Sequence, residues 1–462
     1  MSGKTRILIV TDSPVLPSGL AETTRLLFEA LLDRYPEVYE LHQVALFHCY
    51  AVTTPRWPVY PTEAGRTADG QVCFAPDDRY GQKTFPKIAE RLRPDLVFGF
   101  GEPHRLLHLC RPRSQRPWRL VLYVNFDGLP VPPGFAPGLA QADLLVTKSE
   151  FARQVLLHSV PGVVAEKCHF LYSPADTRRF APPTESERSE LRRELFPPWV
   201  PGDAFVLGWI GRNQWRKQVW LLYKVIHYLR TGQYLVCRGC GQITLLDWDP
   251  LRRCVADPAL LAHETPPDYV AGSCRHCRSR EVEAATPLRD VFLWTHMPEE
   301  PGEDWPARWL EAQFDVQRDR DVYYTPGHGL KAALAPDDIP TLYRLWDCML
   351  FLSGGEGFGL PAWEAMCAGL PVIYTQYSSH AEFLGRAEAG LPVSGVLQPE
   401  SKTGIWRMVA DVGQAIAAVR RLYFDAALRR YLGENGRRFV SQFTPELQTE
   451  RWHRLLGEVL QR

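Results

Sequence analysis

The chain has 462 residues, enough for two or three domains, and its 45% apolar content is that of a globular protein with sizeable cores. Lys plus Arg and Asp plus Glu both number 53, which excludes a global electrostatic footprint for nucleic acid or an anionic membrane. No apolar run approaches a membrane span, and an odd count of eleven cysteines argues for reduced thiols and a cytoplasmic setting rather than a disulfide scaffold.

At the amino end, Met1–Arg6 lead straight into the apolar run Ile7–Val10, so no signal peptide is expected. Ser2-Gly3-Lys4-Thr5 mimics the tail of a phosphate-binding loop, but it lacks the upstream glycine and precedes the strand rather than following it. Ile7–Thr11 reads as a strand. Ala21–Arg34 reads as a helix with Leu26, Leu27, Ala30 and Leu31 on one face. Further strands are expected at Leu96–Phe100, Leu120–Asn125 and Leu144–Thr147. This alternation implies a parallel, doubly wound sheet, and a continuous apolar run such as Arg119–Phe126 suits a sheet covered on both faces.

Glu185–Leu195 is charged and helical, and Pro197-Pro198-Trp199-Val200-Pro201-Gly202 then breaks the pattern, as an interdomain linker would. A second series of strands begins at Ala204–Ile210 and continues through Val291–Thr295, Val322–Thr325, Met349–Leu352 and Pro371–Tyr374. A last helix is read over Pro445–Leu460. The expected fold class is α/β: two Rossmann-like doubly wound domains, residues 1–196 and 204–444, facing a cleft.

Two CxxC knuckles interrupt the second domain, Cys237-Arg238-Gly239-Cys240 and Cys274-Arg275-His276-Cys277, with 33 residues between them. Each lets two thiolates share one tetrahedral ion, and four thiolates close the shell, so the reading is a structural Zn2+ in a zinc-ribbon-like insertion at 233–283. Gly241 suits the turn after the first knuckle, while His276 and Cys254 are spare candidates. A segment of this size has too small a core to fold alone, and a metal would supply the missing stabilisation. Its role is either a staple closing a long loop or recognition of a partner. Arg238, Arg252, Arg253, Arg275, Arg278 and Arg280 with Trp248 carry the nucleic-acid version of the second role, and the neutral overall charge weighs against it. A redox or disulfide reading of the knuckles lacks the secreted context.

The densest chemistry lies in Gly354-Gly355-Glu356-Gly357-Phe358-Gly359-Leu360-Pro361-Ala362-Trp363-Glu364. An apolar run leads in and a helix-forming run leads out, which places a glycine loop at the carboxyl end of a strand, where open α/β sheets bind ligands. Gly357 and Gly359 let backbone approach a ligand, and the free N–H groups of the helix start favour an anion. Glu356 in the loop and Glu364 one turn into the helix would face one cleft and accept hydrogen bonds from sugar hydroxyls. A strand–helix turn with two solvated glutamates has the same spacing.

This segment resembles the E-x7-E signature of the retaining GT-B glycosyltransferases of family four, the glycosyl transferases group 1. Ala142–Arg153, Leu171–Pro182, Gly211-Arg212 with Lys217, Leu342–Asp347 and Asn435-Gly436-Arg437-Arg438 resemble further family elements in the same order. The resemblance spans most of the chain apart from about fifty residues after Thr231. It implies transfer of a hexosyl group from a UDP- or GDP-sugar, without a catalytic metal and with retention of configuration. The acceptor (a glycan, a lipid-linked sugar or a small molecule) is not specified, and peripheral membrane contact stays open. It also implies that the helix 445–462 packs back on the first domain.

The roles follow residue by residue. Arg212 and Lys217 would neutralise the diphosphate, each gaining about 4 kcal/mol at 4 Å and an effective dielectric of 20 before desolvation. Arg216 is a weaker phosphate candidate, and Gln218 stands where the family has glycine. Glu364 would hold the ribose hydroxyls, Glu356 would sit nearer the transferred sugar, and the backbone of Gly357, Phe358, Gly359 and Leu360 would meet sugar and phosphate. Gly19 would face the diphosphate from the first domain, and Asp127 would touch sugar or acceptor unless it merely closes a turn. His328, His380 and Glu382 are secondary candidates. Competing readings are a non-catalytic scaffold or nucleic-acid- or protein-binding module using the zinc ribbon, and an epimerase or phosphorylase of the same fold.

Overall fold

The computed structural model describes residues 3–50, 56–67, 71–246, 269–270, 273–274, 276–297, 304–325, 338–401 and 403–461. The first lobe is built on seven strands: β1 (Thr5–Asp12), β2 (Tyr39–Leu46), β3 (Val59–Pro61), β4 (Leu96–Gly101), β5 (Arg119–Val124), β6 (Leu144–Thr147) and β7 (Cys168–Phe170). They form one parallel sheet in the order β3-β2-β1-β4-β5-β6-β7. Strand periodicity divides its apolar residues between two faces. Ile7 and Ile9 of β1 join Leu27, Phe28 and Leu31 of helix α1 (Gly19–Arg34), whereas Leu8 and Val10 join the cluster of Val97, Leu120 and Leu122. Helix α2 (Glu150–Ser159) covers the second face, with Ala152, Val155 and Leu156 in that cluster.

The chain then enters the second lobe through helix α3 (Glu185–Leu195), whose first turn is fixed by a capping box between Thr184 and Glu187. Arg188 and Arg192 of α3 both pair with Asp347, at 2.9 and 2.7 Å. Trp199 packs its ring on Phe292 and Tyr323, and Val200 is buried in the same core. The helix and the proline-rich segment are thus packed parts of the second lobe rather than a free linker. The crossover falls before Thr184, because the arginines of α3 find their carboxylate on the second lobe.

The second sheet starts with β8 (Phe205–Ile210) and helix α4 (Val219–Thr231). Three short antiparallel strands, β9 (Tyr234–Cys237), β10 (Ile243–Leu245) and β11 (Val282–Ala284), interrupt it. It resumes with β12 (Val291–His296), β13 (Val322–Tyr324), β14 (Cys348–Phe351), β15 (Val372–Thr375) and β16 (Gly390–Val393), all parallel, in the order β13-β12-β8-β14-β15-β16. Helix α5 (Leu360–Cys367) follows β14, and α6 (Ser378–Ala387) follows β15. A hairpin of β17 (Gly395–Pro399) and β18 (Trp406–Ala410) precedes helix α7 (Val412–Phe424).

Helix α8 (Pro445–Gln461) returns to the first lobe, where Trp452, Leu456 and Val459 are buried against β1 and β4. Trp452 meets Phe98 and Tyr123 edge-on, with centroids 5.2 and 5.0 Å away. At roughly 2 kcal/mol for each buried apolar side chain, this contact is a strong tie between the chain end and the first sheet. Among the described residues no helix is long and apolar enough to cross a membrane.

Candidate active site between the lobes

The glycine loop after β14 is the meeting point of the lobes. A Cβ on Gly355 would lie 2.1 Å from the carbonyl oxygen of Asp127, and one on Gly357 would lie 2.8 Å from Cβ of Asn125. Gly359 has φ +98° and serves as the N-cap of α5. Glycine is required here for close approach and for backbone shape. Across the cleft, Ser18 caps α1 by accepting from the Ala21 N–H and donates to Asp12 at 2.7 Å. Gly19 then abuts Leu360, so the amino ends of α1 and α5 face each other across the gap.

A cluster of alternating charge fills the space behind the loop. Glu356 is 4% exposed and accepts from Lys217 Nζ at 2.5 Å and from Arg216 Nη1 at 2.8 Å. Its N–H donates to Ser378 Oγ at 2.9 Å, and Ser378 holds a left-handed backbone at φ +63° to present that oxygen. Burial alone would raise the Glu356 carboxyl, but Lys217 and Arg216 hold it well below the ordinary 4.5. Burial pulls the Lys217 ammonium down, with Glu356 opposing it. Arg216 also lies 3.7 Å from Asp127 Oδ2 of the first lobe. Arg407 of the β17–β18 hairpin reaches Asp127 Oδ1 at 2.9 Å, donates to its carbonyl at 2.9 Å, and pairs with Glu400 at 3.2 Å. Gln218 adopts φ +49° and donates to Met408 O at 2.9 Å, anchoring the same hairpin. A side chain therefore occupies a left-handed position that glycine would fill without strain, and the hydrogen bond to the hairpin offsets the roughly 1–2 kcal/mol of backbone strain.

Glu364 has a different setting. It accepts from Tyr343 Oη at 2.6 Å, and burial pushes its carboxyl up to about 7, with Tyr343 opposing and Glu22 adding to the rise. Arg212 is exposed on the cleft rim, where its charge acts on Asp12 across the gap. His380 is fully buried beside Phe351; Nδ1 lies 3.3 Å from Ser378 Oγ, and Nε2 finds no hydrogen-bond partner among the described residues. Burial lowers its pKa to about 4, so the ring is neutral. Glu382 is committed elsewhere: it accepts from the N–H groups of Glu150 and Phe151 and from Tyr172 Oη, capping α2 from the opposite lobe. That role replaces the expectation that it reaches a sugar. His328 lies outside the described residues.

Glu356, Lys217, Asp127, Gly19, Gly357, Phe358, Gly359 and Leu360 thus converge on one interlobe region, with Arg212 on its rim and Glu364 one helical turn in. Sequence reasoning missed Arg407, Ser378, Asn125 and the buried Lys148. Arg407 and Ser378 sit outside any recognised spacing. Asn125, whose Oδ1 has no partner among the described residues, is an ordinary strand end by pattern.

Away from the cleft, the Sγ atoms of Cys237, Cys240, Cys274 and Cys277 all lie within 4.8 Å of one another. Cys237 and Cys277 are 3.5 Å apart, and Cys240 and Cys274 are 3.6 Å apart. A tetrahedral zinc–thiolate shell with bonds of about 2.3 Å needs sulfurs about 3.8 Å apart, so the donor set fits a closed zinc site. Gly241 turns at φ +72° after the first knuckle. The module docks on α7, where Arg420 donates to Tyr234 Oη at 3.0 Å. Trp248, Arg252, Arg253, Cys254 and Arg275 lie outside the described residues.

The chain superimposes on solved structures over its whole length. Sucrose-phosphate synthase from Thermosynechococcus elongatus gives a TM-score of 0.69 at 15% identity, covering 99% of both chains. Anabaena Alr3699/HepE, solved in complex with UDP and glucose, gives 0.63 at 15% identity, covering 98% of this chain and 100% of that one. The fold is GT-B. Within the second lobe, residues 328–439 match the family model described as glycosyl transferases group 1, and this segment contains both glutamates of the loop and helix. A curated relative, D-inositol 3-phosphate glycosyltransferase from Corynebacterium jeikeium (strain K411), is 24% identical over 320 residues. That alignment covers 69% of this chain and 58% of the relative, so the chain spans less than two thirds of the relative's length.

Proposed function

We propose that the protein is a glycosyltransferase that moves a hexosyl group from a nucleotide-diphosphate sugar to an acceptor hydroxyl with retention of anomeric configuration. The observation that carries this reading is the Arg216–Lys217–Glu356 cluster, seated between two facing helix starts in a GT-B cleft. Diphosphate oxygens are anions that helix N-termini and nearby cations stabilise, so Arg212, Lys217, Gly19 and the α5 start hold the leaving group. The bond from the anomeric carbon to the phosphate oxygen breaks with its electron pair on the diphosphate. The acceptor oxygen bonds to the same face of that carbon, and its proton passes to the departing phosphate oxygen. Glu364 accepts from ribose hydroxyls. Glu356 keeps the cations oriented beside the sugar, Asp127 meets sugar or acceptor from the first lobe, and the backbone of Gly357–Leu360 lines the sugar. Lobe closure excludes water. UDP or GDP carries the donor sugar, and the setting is cytoplasmic.

A screen of donor hydrolysis across UDP- and GDP-sugars, with calorimetric titration of UDP and GDP, tests this reading. Binding of one nucleotide and slow hydrolysis of its sugar are expected. Neither nucleotide binding at millimolar concentration would overturn it in favour of a scaffold.

The four cysteines belong to a structural zinc ribbon at 233–283. Freshly purified reduced protein should carry about one zinc per chain, and Cys274→Ser should carry none. Wild-type protein without zinc would remove the ribbon.

A further inference from the structure

Lys148 lies between the end of β6 and Ser149, the N-cap of α2, and is 3% exposed. Nζ lies 4.8 Å from the centroid of Phe100, 5.6 Å from that of Tyr123 and 5.4 Å from that of Phe358. Among the described residues its one hydrogen bond, at 3.2 Å, goes to Thr23 Oγ1, which itself donates to the carbonyl of Gly19 at 2.7 Å. Among the described residues no carboxylate lies within 4 Å, in contrast to Lys217, which pairs with Glu356. Glu102 acts on it only from longer range. A buried ammonium with one hydroxyl and three aromatic faces is under-compensated, since burying an unpaired charge costs far more than ring contacts return.

The position says what is missing. Gly19 opens α1 with Thr23 one turn further in, and Phe358 belongs to the glycine loop before α5, so the ammonium lies where both helix starts and both lobes meet. We infer that Lys148 is a further donor-binding residue, a cation contributed by the first lobe to the diphosphate, an inference that rests on the proposed glycosyl transfer. The flexible four-carbon stem lets the ammonium swing from its aromatic slot to a phosphate oxygen. Phe358 of the second lobe seals the slot, so engagement of Lys148 belongs to the closed state.

The test compares wild type with Lys148→Met and Lys148→Gln, using UDP and GDP as calorimetric probes and thermal melting without nucleotide. Whichever nucleotide the wild type binds, both variants are expected to bind it at least tenfold more weakly. Lys148→Met should melt at or above the wild-type temperature, because it removes an uncompensated charge from an apolar slot. Wild-type affinity in both variants would overturn the inference while leaving the glycosyl-transfer reading intact. A lower melting temperature with unchanged affinity would likewise overturn it, as the mark of a purely structural lysine. Failure of the wild type to bind either nucleotide would overturn both.

Discussion

Glu356 and Glu364 stand eight positions apart on either side of one glycine loop, and their surroundings are opposite. The Glu356 carboxylate is boxed between Lys217 and Arg216 and is held as an anion, while its backbone N–H donates to Ser378 Oγ. Glu364 has a tyrosine hydroxyl as its near partner, and burial pushes it up to about 7. Identical residue types thus carry different chemistry. The loop glutamate is a fixed negative charge that organises two cations, whereas the helix glutamate titrates near neutrality and is a strong acceptor only once ionised.

The largest effect is expected from Glu356→Gln, which leaves Lys217 and Arg216 sharing a single weaker counter-ion in Asp127. Loss of stability at pH 7 should be about 3–5 kcal/mol. Because the folded-state pKa of Glu356 is depressed, its contribution is present above the ordinary 4.5 and fades as pH falls below it, so the wild-type advantage should shrink in acid denaturation series. An advantage independent of pH would break the contrast between the two glutamates. Next is Lys217→Ala, expected to lower turnover by about 10²–10³ while the fold survives, since Arg216 still neutralises Glu356. Wild-type rates would remove Lys217 from the site. Glu364→Gln sharpens the other half. A raised folded-state pKa costs the wild type stability as pH climbs from 4.5 through about 7, so the variant should be the more stable protein at pH 8. The gap should be at most about 3 kcal/mol and should close near pH 4, as chemical denaturation would show. Equal stability at pH 8 would mean that Glu364 is an ordinary solvated carboxyl. The smallest effect is expected from Arg407→Ala, at about 2 kcal/mol, because Arg216 still faces Asp127 while Glu400 and the Asp127 carbonyl lose a buried donor.

The comparison also marks what the chain reveals by pattern. Four strands of the first sheet, five of the second, α1 and the glycine loop follow from short apolar runs and turn residues, which are local signals, whereas Tyr39–Leu46, Val59–Pro61, Cys168–Phe170 and Gly390–Val393 do not. The Glu356–Lys217 pair joins residues 139 apart in sequence, and family spacing alone brought them together. Nothing local marks Tyr39–Leu46 as a strand next to β1, because Glu40, His42 and Gln43 interrupt its apolar run. Nor does local pattern show that α3 belongs to the second lobe, since that rests on Asp347, more than 150 positions away. Lys148 was hidden for the same reason: Phe100, Tyr123 and Phe358, which bury it, come from two lobes.

The most direct measurement is a crystal structure with the nucleotide diphosphate that the wild type binds. The account predicts its phosphates between Gly19, Arg212 and Lys217 at the start of α5, with a ribose hydroxyl on Glu364. Phosphates lodged anywhere outside the interlobe cleft would contradict it.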